Sequence, residues 1–215
     1  MRSSRALDSH ASLLRAATEI FVETGFSGAR VDEIARRARV NKAMIYYHFG
    51  NKRALYQAVL LRLMGPVHEL IEALDKGRLA PRERLERFYS GIVERFAERP
   101  ALPQVMIREI LAGGRHMDRV TAQAFAGILA FVSRTLAEGR RARAFGAVNP
   151  LVFHLSVLAP VLLFFVSTPF RDRLKAVAVV PPGLALPTLD DMRAHVALTL
   201  ARGLEPRGPR KRSRT

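Results

Sequence analysis

Lys42, Tyr46, Tyr47, His48, Lys52 and Arg53 fall within twelve residues of the segment VNKAMIYYHFGNKRALYQAVL, which begins at Val40. Ammonium, guanidinium, phenol and imidazole groups at this density suit contacts to phosphate oxygens. The same segment carries Met44, Ile45, Phe49, Leu55, Val59 and Leu60, an apolar set that must face a core. A helix with one anchored face and one donor-rich face is what reading a DNA major groove requires. Covalent chemistry has no comparable support. The chain lacks a Walker loop, a Gly-x-Ser-x-Gly turn and a His-Glu-x-x-His pair, and its six histidines have no metal-ligand spacing. No catalytic residue, metal or cofactor is expected, and the chain is not expected to be an enzyme.

The elements that must position these residues follow from the local pattern. Asp8 or Ser9 caps a first helix whose Leu13, Ala17, Ile20, Phe21 and Thr24 share a face, and Gly25 ends it. VDEIARRA is a short second helix with Asp32 and Glu33 in its first turn and Val31, Ile34, Ala35 and Ala38 facing inward. A four-residue turn leads to Asn41, which caps a third helix running to about His48, and Phe49-Gly50 closes it. Two short helices at this spacing form a helix-turn-helix. Ile45 and Phe49 anchor its second helix, Lys42, Ala43 and Met44 reach base edges, and Tyr47 and His48 meet phosphates. Asn51 caps a fourth helix, in whose first turn Lys52 and the free backbone N–H groups face one phosphate. Gly65-Pro66 is expected to kink or stop that helix after Met64.

Longer helices follow, starting at Pro81, between Pro100 and Pro103, near Asp118, at Asn149-Pro150 and at Thr188. The fold class is all-α: a three-helix helix-turn-helix head joined by a fourth helix to a larger helical body. The expected divisions are a DNA-binding head over 1–56, a ligand-binding and dimerisation body over 57–205 and a disordered basic tail over 206–215.

Composition narrows the partner. The formal charge is +16, from 35 Lys+Arg against 19 Asp+Glu, which calls for an anionic partner. Half the chain is hydrophobic, so a core is attainable. The absence of cysteine excludes a disulfide framework and a cysteine-based zinc site, and fits a reducing cytoplasm. The most apolar run, Leu151 to Val166, is shorter than the roughly 20 residues of a bilayer span and is interrupted by His154, Ser156 and Pro160. A membrane is not expected as a partner, and the expected location is cytoplasmic.

The stretch AATEIFVETGFSGARVDEIARRARVNKAMIYYHFGNKRALYQAV resembles the DNA-binding head of the TetR family of transcriptional repressors. It matches the alanine-rich first helix leading to Gly-Phe, the Val-x-x-Ile-Ala of the second helix and the Tyr-x-His-Phe-x-x-Lys-x-x-Leu that follows. MIREILAGG and FGAVNP also look like features of family bodies. The resemblance implies a homodimer whose last two long helices form a four-helix interface, a ligand-receptive body and a near-palindromic double-stranded operator. By position, Lys42, Ala43 and Met44 match the base-facing residues, and Tyr46, Tyr47, His48 and Lys52 match the backbone contacts. Four residues depart from the pattern. Arg39 replaces a common turn glycine, Arg30 a Ser or Thr cap, Asn41 a Ser, and Met44 a small polar residue. The last change favours apolar contact with a thymine methyl over a hydrogen bond.

In the body, Phe88, Tyr89, Phe96, Met106, Phe125 and Phe131 recur at helical-core spacing, with Arg108, Glu109 and His116 as the nearby polar groups. These are the candidate lining of a cavity for an apolar or amphipathic effector. Leu158 and Leu162 are the candidate dimer contacts, because one stripe cannot bury so apolar a helix in a body this small. The expected function is a ligand-released repressor. The alternatives are a sequence-tolerant nucleic-acid-binding protein and an enzyme or carrier with an appended helix-turn-helix.

Overall fold

The computed structural model describes residues 2–177, 180–181 and 183–205, with side chains from residue 8 onward. The expected basic tail, 206–215, lies outside the described residues. Among them all regular structure is helical: α1 (Arg2–Gly28), α2 (Val31–Ala38), α3 (Ala43–Phe49), α4 (Lys52–Lys76), α5 (Pro81–Glu98), α6 (Ala101–Leu111), α7 (Arg119–Arg141), α8 (Pro150–Val166), α9 (Thr168–Ala176) and α10 (Leu189–Leu204).

These helices fall into two compact units that interleave along the chain. One comprises Met1–Pro66 and Arg99–Phe125, the other Val67–Glu98 and Ala126–Thr215. The first unit holds α1, the two short helices α2 and α3, the start of α4, α6 and the start of α7. Its core is built from Leu13, Ala17, Ile20 and Phe21 of α1, Ile34 and Ala38 of α2, Ile45 of α3, and Leu55 and Val59 of α4. In the second unit, Phe88, Tyr89 and Phe96 of α5 are buried together with Phe131 of α7, Phe153 and Val157 of α8, and Val196 and Leu200 of α10. By length and composition α7 is long and apolar enough to cross a membrane. It buries Phe131, Val132 and Leu136 and pairs Arg134 with Asp75 at 2.6 Å, as a core helix of a bundle does.

Local chemistry sets most boundaries. Asn149 Oδ1 accepts from the backbone N–H groups of Leu151 and Val152. Thr188 and Asp191 form a reciprocal capping box at the start of α10. Asp118 and Thr121 make the same kind of exchange ahead of α7.

Several boundaries differ from the local expectation. α1 begins at Arg2, so Asp8 and Ser9 lie inside it and neither caps it. Gly25 bends α1 with φ 70 and ψ 179, and helical structure resumes to Gly28. Thr24 is exposed, and its hydroxyl donates back to the Ile20 carbonyl at 2.9 Å. α4 neither stops nor breaks at Gly65-Pro66 but continues to Lys76. A mid-helix proline costs about 3 kcal/mol, and burial of Leu63 and Met64 before it and Val67 and Leu74 after it offsets that cost. α9 was not anticipated: it contains no buried residue, so it has no apolar period to read.

Candidate nucleic-acid interface

The sequence places an anchor on one side of α3 and donors on the other, and the structure keeps them apart. Ile45 is fully buried, while Phe49, half-buried, stacks on the His10 ring at 4.8 Å. Asn41 Oδ1 accepts from the Ala43 N–H at 2.8 Å, and the Asn41 carbonyl accepts from Met44 N at 2.9 Å. The start of the helix is thereby held by Asn41, one residue outside the helical φ/ψ of Lys42. Before it, Arg39 adopts the left-handed conformation, φ 56 and ψ 40, that closes α2. A non-glycine residue there costs about 1 kcal/mol.

On the opposite side Lys42 and Ala43 are exposed, Met44 is half-buried, and Tyr46 and Tyr47 are 49% and 76% exposed. Tyr46 is therefore a surface residue. Lys42 Nζ lies 2.8 Å from Asp32 Oδ1 on α2. That hydrogen bond holds the Asp32 carboxyl below the usual carboxylate range and Lys42 above the usual ammonium value. Asp32, read from sequence only as a first-turn acid, thus fixes the first of the cations expected to face DNA. His48 Nε2 meets Ser9 Oγ at 2.8 Å, and its ring sits edge-on to Tyr47 at 5.1 Å. Burial, and then the neighbouring His10, pushes His48 below the ordinary histidine value. Asn51 Oδ1 caps α4 by accepting from the Ala54 N–H at 2.9 Å. Lys52 lies over the Phe26 ring at 4.7 Å, and burial lowers its pKa. Arg30 occupies the cap position of α2, is exposed and makes no side-chain cap bond.

The nine candidate effector-lining residues divide between the two units. Phe88, Tyr89, Phe96 and Phe131 belong to the second and are fully buried. There Phe88 packs on Phe131 at 4.9 Å, and the Tyr89 hydroxyl meets His154 Nδ1 at 2.9 Å. Met106, Arg108, Glu109, His116 and Phe125 belong to the first unit. Arg108 is exposed and donates to the Glu23 carbonyl at 3.4 Å, and Phe125 is half-buried. Glu109 is buried with all its near partners: the Tyr56 hydroxyl at 2.9 Å, the His116 N–H at 3.0 Å and His116 Nδ1 at 3.0 Å. Within the second unit a cavity of about 540 Å³ is lined by Ser133, Leu136, Arg140, Gly146 and Pro150, among others. Within the first, a cavity of about 350 Å³ is lined in part by Arg15, Arg62 and Arg99. Of these residues only Gly146 and Pro150 fall in a stretch singled out from sequence, FGAVNP, because isolated surface arginines carry no periodic signal.

Leu158 and Leu162 are covered within their own unit. The exposed apolar side chains of α8 are Leu151, Val152, Leu155 and Leu163, and α10 adds Leu198. Among the described residues no group of three or more His, Cys, Asp or Glu side chains is arranged to hold a metal ion.

Residues 13–59 match the family described as "Bacterial regulatory proteins, tetR family". The chain is 24% identical over 169 residues to the HTH-type transcriptional repressor NicS of Pseudomonas putida, covering 78% of this chain and 80% of that one. It is 40% identical over 84 residues to the HTH-type transcriptional activator FasR of Mycolicibacterium smegmatis, covering 37% of this chain and 38% of that one. The fold superposes on the TetR family regulator PfmR of Thermus thermophilus with a TM-score of 0.66 at 22% identity, covering 90% of this chain and 98% of that one. The relatives are DNA-binding regulators, not enzymes. Residues 13–59, with Ile45 buried and Lys42, Tyr46 and Tyr47 facing outward, thus carry the DNA-binding domain described for the tetR family of bacterial regulatory proteins, and the chain as a whole is similar in fold to regulators of that family.

Proposed function

We propose that the protein is a cytoplasmic, ligand-responsive repressor that binds a near-palindromic operator as a homodimer and is released by a small apolar or amphipathic effector. The observation that carries the DNA-reading role is the outward face of α3. Ala43, Tyr46 and Tyr47 are exposed on a seven-residue helix whose Ile45 is fully buried, and Lys42 is exposed at its cap. A helix held so rigidly presents its N-terminal residues to base edges and its tyrosine hydroxyls to phosphates. The exposed leucines of α8 and α10 support self-association, since one extra copy would cover them.

A gel shift of the full chain on the DNA upstream of its own coding sequence, against scrambled competitor, tests the reading. Retention of a specific band at salt that abolishes binding to the scrambled duplex is the expected result. Equal loss of both complexes would favour sequence-tolerant binding through charge alone.

A further inference from the structure

We propose that the cavity bounded by Arg15, Arg62 and Arg99 is a binding site for the phosphate groups of a small phosphorylated molecule. The inference does not rest on the repressor reading, because it concerns a different surface and a different ligand chemistry.

The three arginines come from separate parts of the first unit: α1, the middle of α4, and the residue just before α6. They line one concavity of about 350 Å³. Among the described residues, none of their side chains makes an ion pair or a hydrogen bond. Two guanidinium groups of the same unit show the contrast of a matched charge. Arg36 is held by Glu33 at 2.6 Å, and Arg37 by Glu23 at 2.5 Å. The one carboxylate on the cavity wall, Glu19, lies 3.7 Å from Arg37 and is partly neutralised there. The wall therefore holds three positive groups against a shared negative one, an arrangement whose self-repulsion an anion relieves. The first turn of α6 has no acidic residue and no side-chain cap, so its positive end adds to the same field.

Guanidinium forks bind phosphate oxygens in pairs, which a single ammonium cannot do. Three of them exceed what one carboxylate neutralises, and they fit a group carrying two or more negative charges. A water molecule's share of volume is roughly 30 Å³, so the cavity is large enough for a diphosphate. Leu63, buried on the same wall, offers apolar surface to the rest of such a molecule. DNA is the competing source of phosphate, and the test separates the two.

The full chain is titrated with inorganic pyrophosphate by calorimetry, in metal-free buffer at fixed ionic strength set with chloride. One saturable site per chain is expected. The variant R15Q/R62Q/R99Q should bind at least about tenfold more weakly. R15K/R62K/R99K, which keeps charge but not the fork, should fall between. The control R140Q/R141Q should bind like wild type. These side chains are exposed, so folding is checked by far-UV circular dichroism, and the three single substitutions should each show a partial loss if the triple variant unfolds. The proposal is overturned if binding does not saturate, if the arginine variants bind as wild type, or if R140Q/R141Q loses as much. It is also overturned if R15Q/R62Q/R99Q flattens the salt dependence of DNA binding, because that result assigns the surface to the duplex.

Discussion

The Tyr56 hydroxyl donates to Glu109 Oε2 at 2.9 Å, joining residues 53 positions apart inside the first unit. The same oxygen meets His116 Nδ1 at 3.0 Å, and the other accepts the His116 N–H. Phe26 covers the imidazole at 4.3 Å, and Gln57 Nε2 reaches the His116 carbonyl at 3.4 Å. Burial, and then the bond to Glu109, pushes the Tyr56 phenol well above its ordinary value, so it remains a donor throughout the neutral range. These bonds fasten the end of α6 to the early turns of α4, and Phe26 packs the end of α1 against them.

Breaking the set from its two ends should have unequal effects. Tyr56→Phe removes a donor and leaves Glu109 bonded to His116, so it should lower stability by about 1 kcal/mol. Glu109→Leu strands both the phenol and the His116 N–H, at about 1–3 kcal/mol for each unpaired group. Urea denaturation of both variants measures the difference. Equal losses would show that the carboxylate does not organise the cluster.

Stability should fall as the solution is acidified through the histidine range. Burial pushes His154 down to about 4, while the unfolded chain keeps the ordinary 6.5. Between those values the unfolded state binds the extra proton. The contribution is therefore complete above 6.5 and is lost as pH falls toward 4. The full loss is on the order of 3 kcal/mol. His154→Gln keeps a polar partner for Tyr89 but cannot titrate. Its denaturation midpoint should change less than that of wild type between neutral pH and pH values near 4.

The Asp32–Lys42 pair predicts separable effects on DNA. Lys42→Ala or Met44→Ala should alter sequence preference by about 1–3 kcal/mol at the contacted position. Asp32→Asn frees the ammonium from its 2.8 Å partner and removes a negative charge beside the duplex. Binding to scrambled DNA should tighten, and the ratio of specific to non-specific affinity should fall. Lys52→Ala should weaken all sequences alike and flatten the salt slope by about one unit per half-site. Fluorescence anisotropy across a salt series reads all of these.

Self-association should depend on the exposed stripe of α8. Leu155→Asp or Leu163→Asp places a charge where a second copy would bury it, and should give monomers that remain folded. Leu158→Asp places the charge inside the unit and should lower the unfolding temperature instead. Light scattering together with thermal denaturation distinguishes the two outcomes. A clean dimer from both exposed-site variants would remove this stripe from the interface.

Caps and anchors were legible because their physics is local. Asn41, Asn51, Asn149 and Thr188 bond backbone groups two or three residues away, so their roles follow from type and position. Ile45 has the spacing of an anchor and is one, and the left-handed Arg39 stands where the family pattern has glycine. The unassigned α9 has no buried face and so no apolar period, and its one start signal is the first-turn proline Pro169.

Pairing between distant residues was decided only by the tertiary structure. Ser9 holds His48 across 39 positions, and Glu109 meets Tyr56 across 53. Neither distance has a periodic signature, because what brings the groups together is burial of apolar faces elsewhere in α1, α4 and α6. The same limit applies to α8. A helix apolar on every side has no period to say which leucines its own chain covers, and packing covered Leu158 and Leu162 while leaving Leu155 and Leu163 in solvent. Residue order thus determined most of the helical segments and the helix-turn-helix among them, since those properties act within a turn or two. Packing decided which polar groups share a buried bond, which arginines border one cavity and which apolar face stays open, since those properties exist only once distant helices meet.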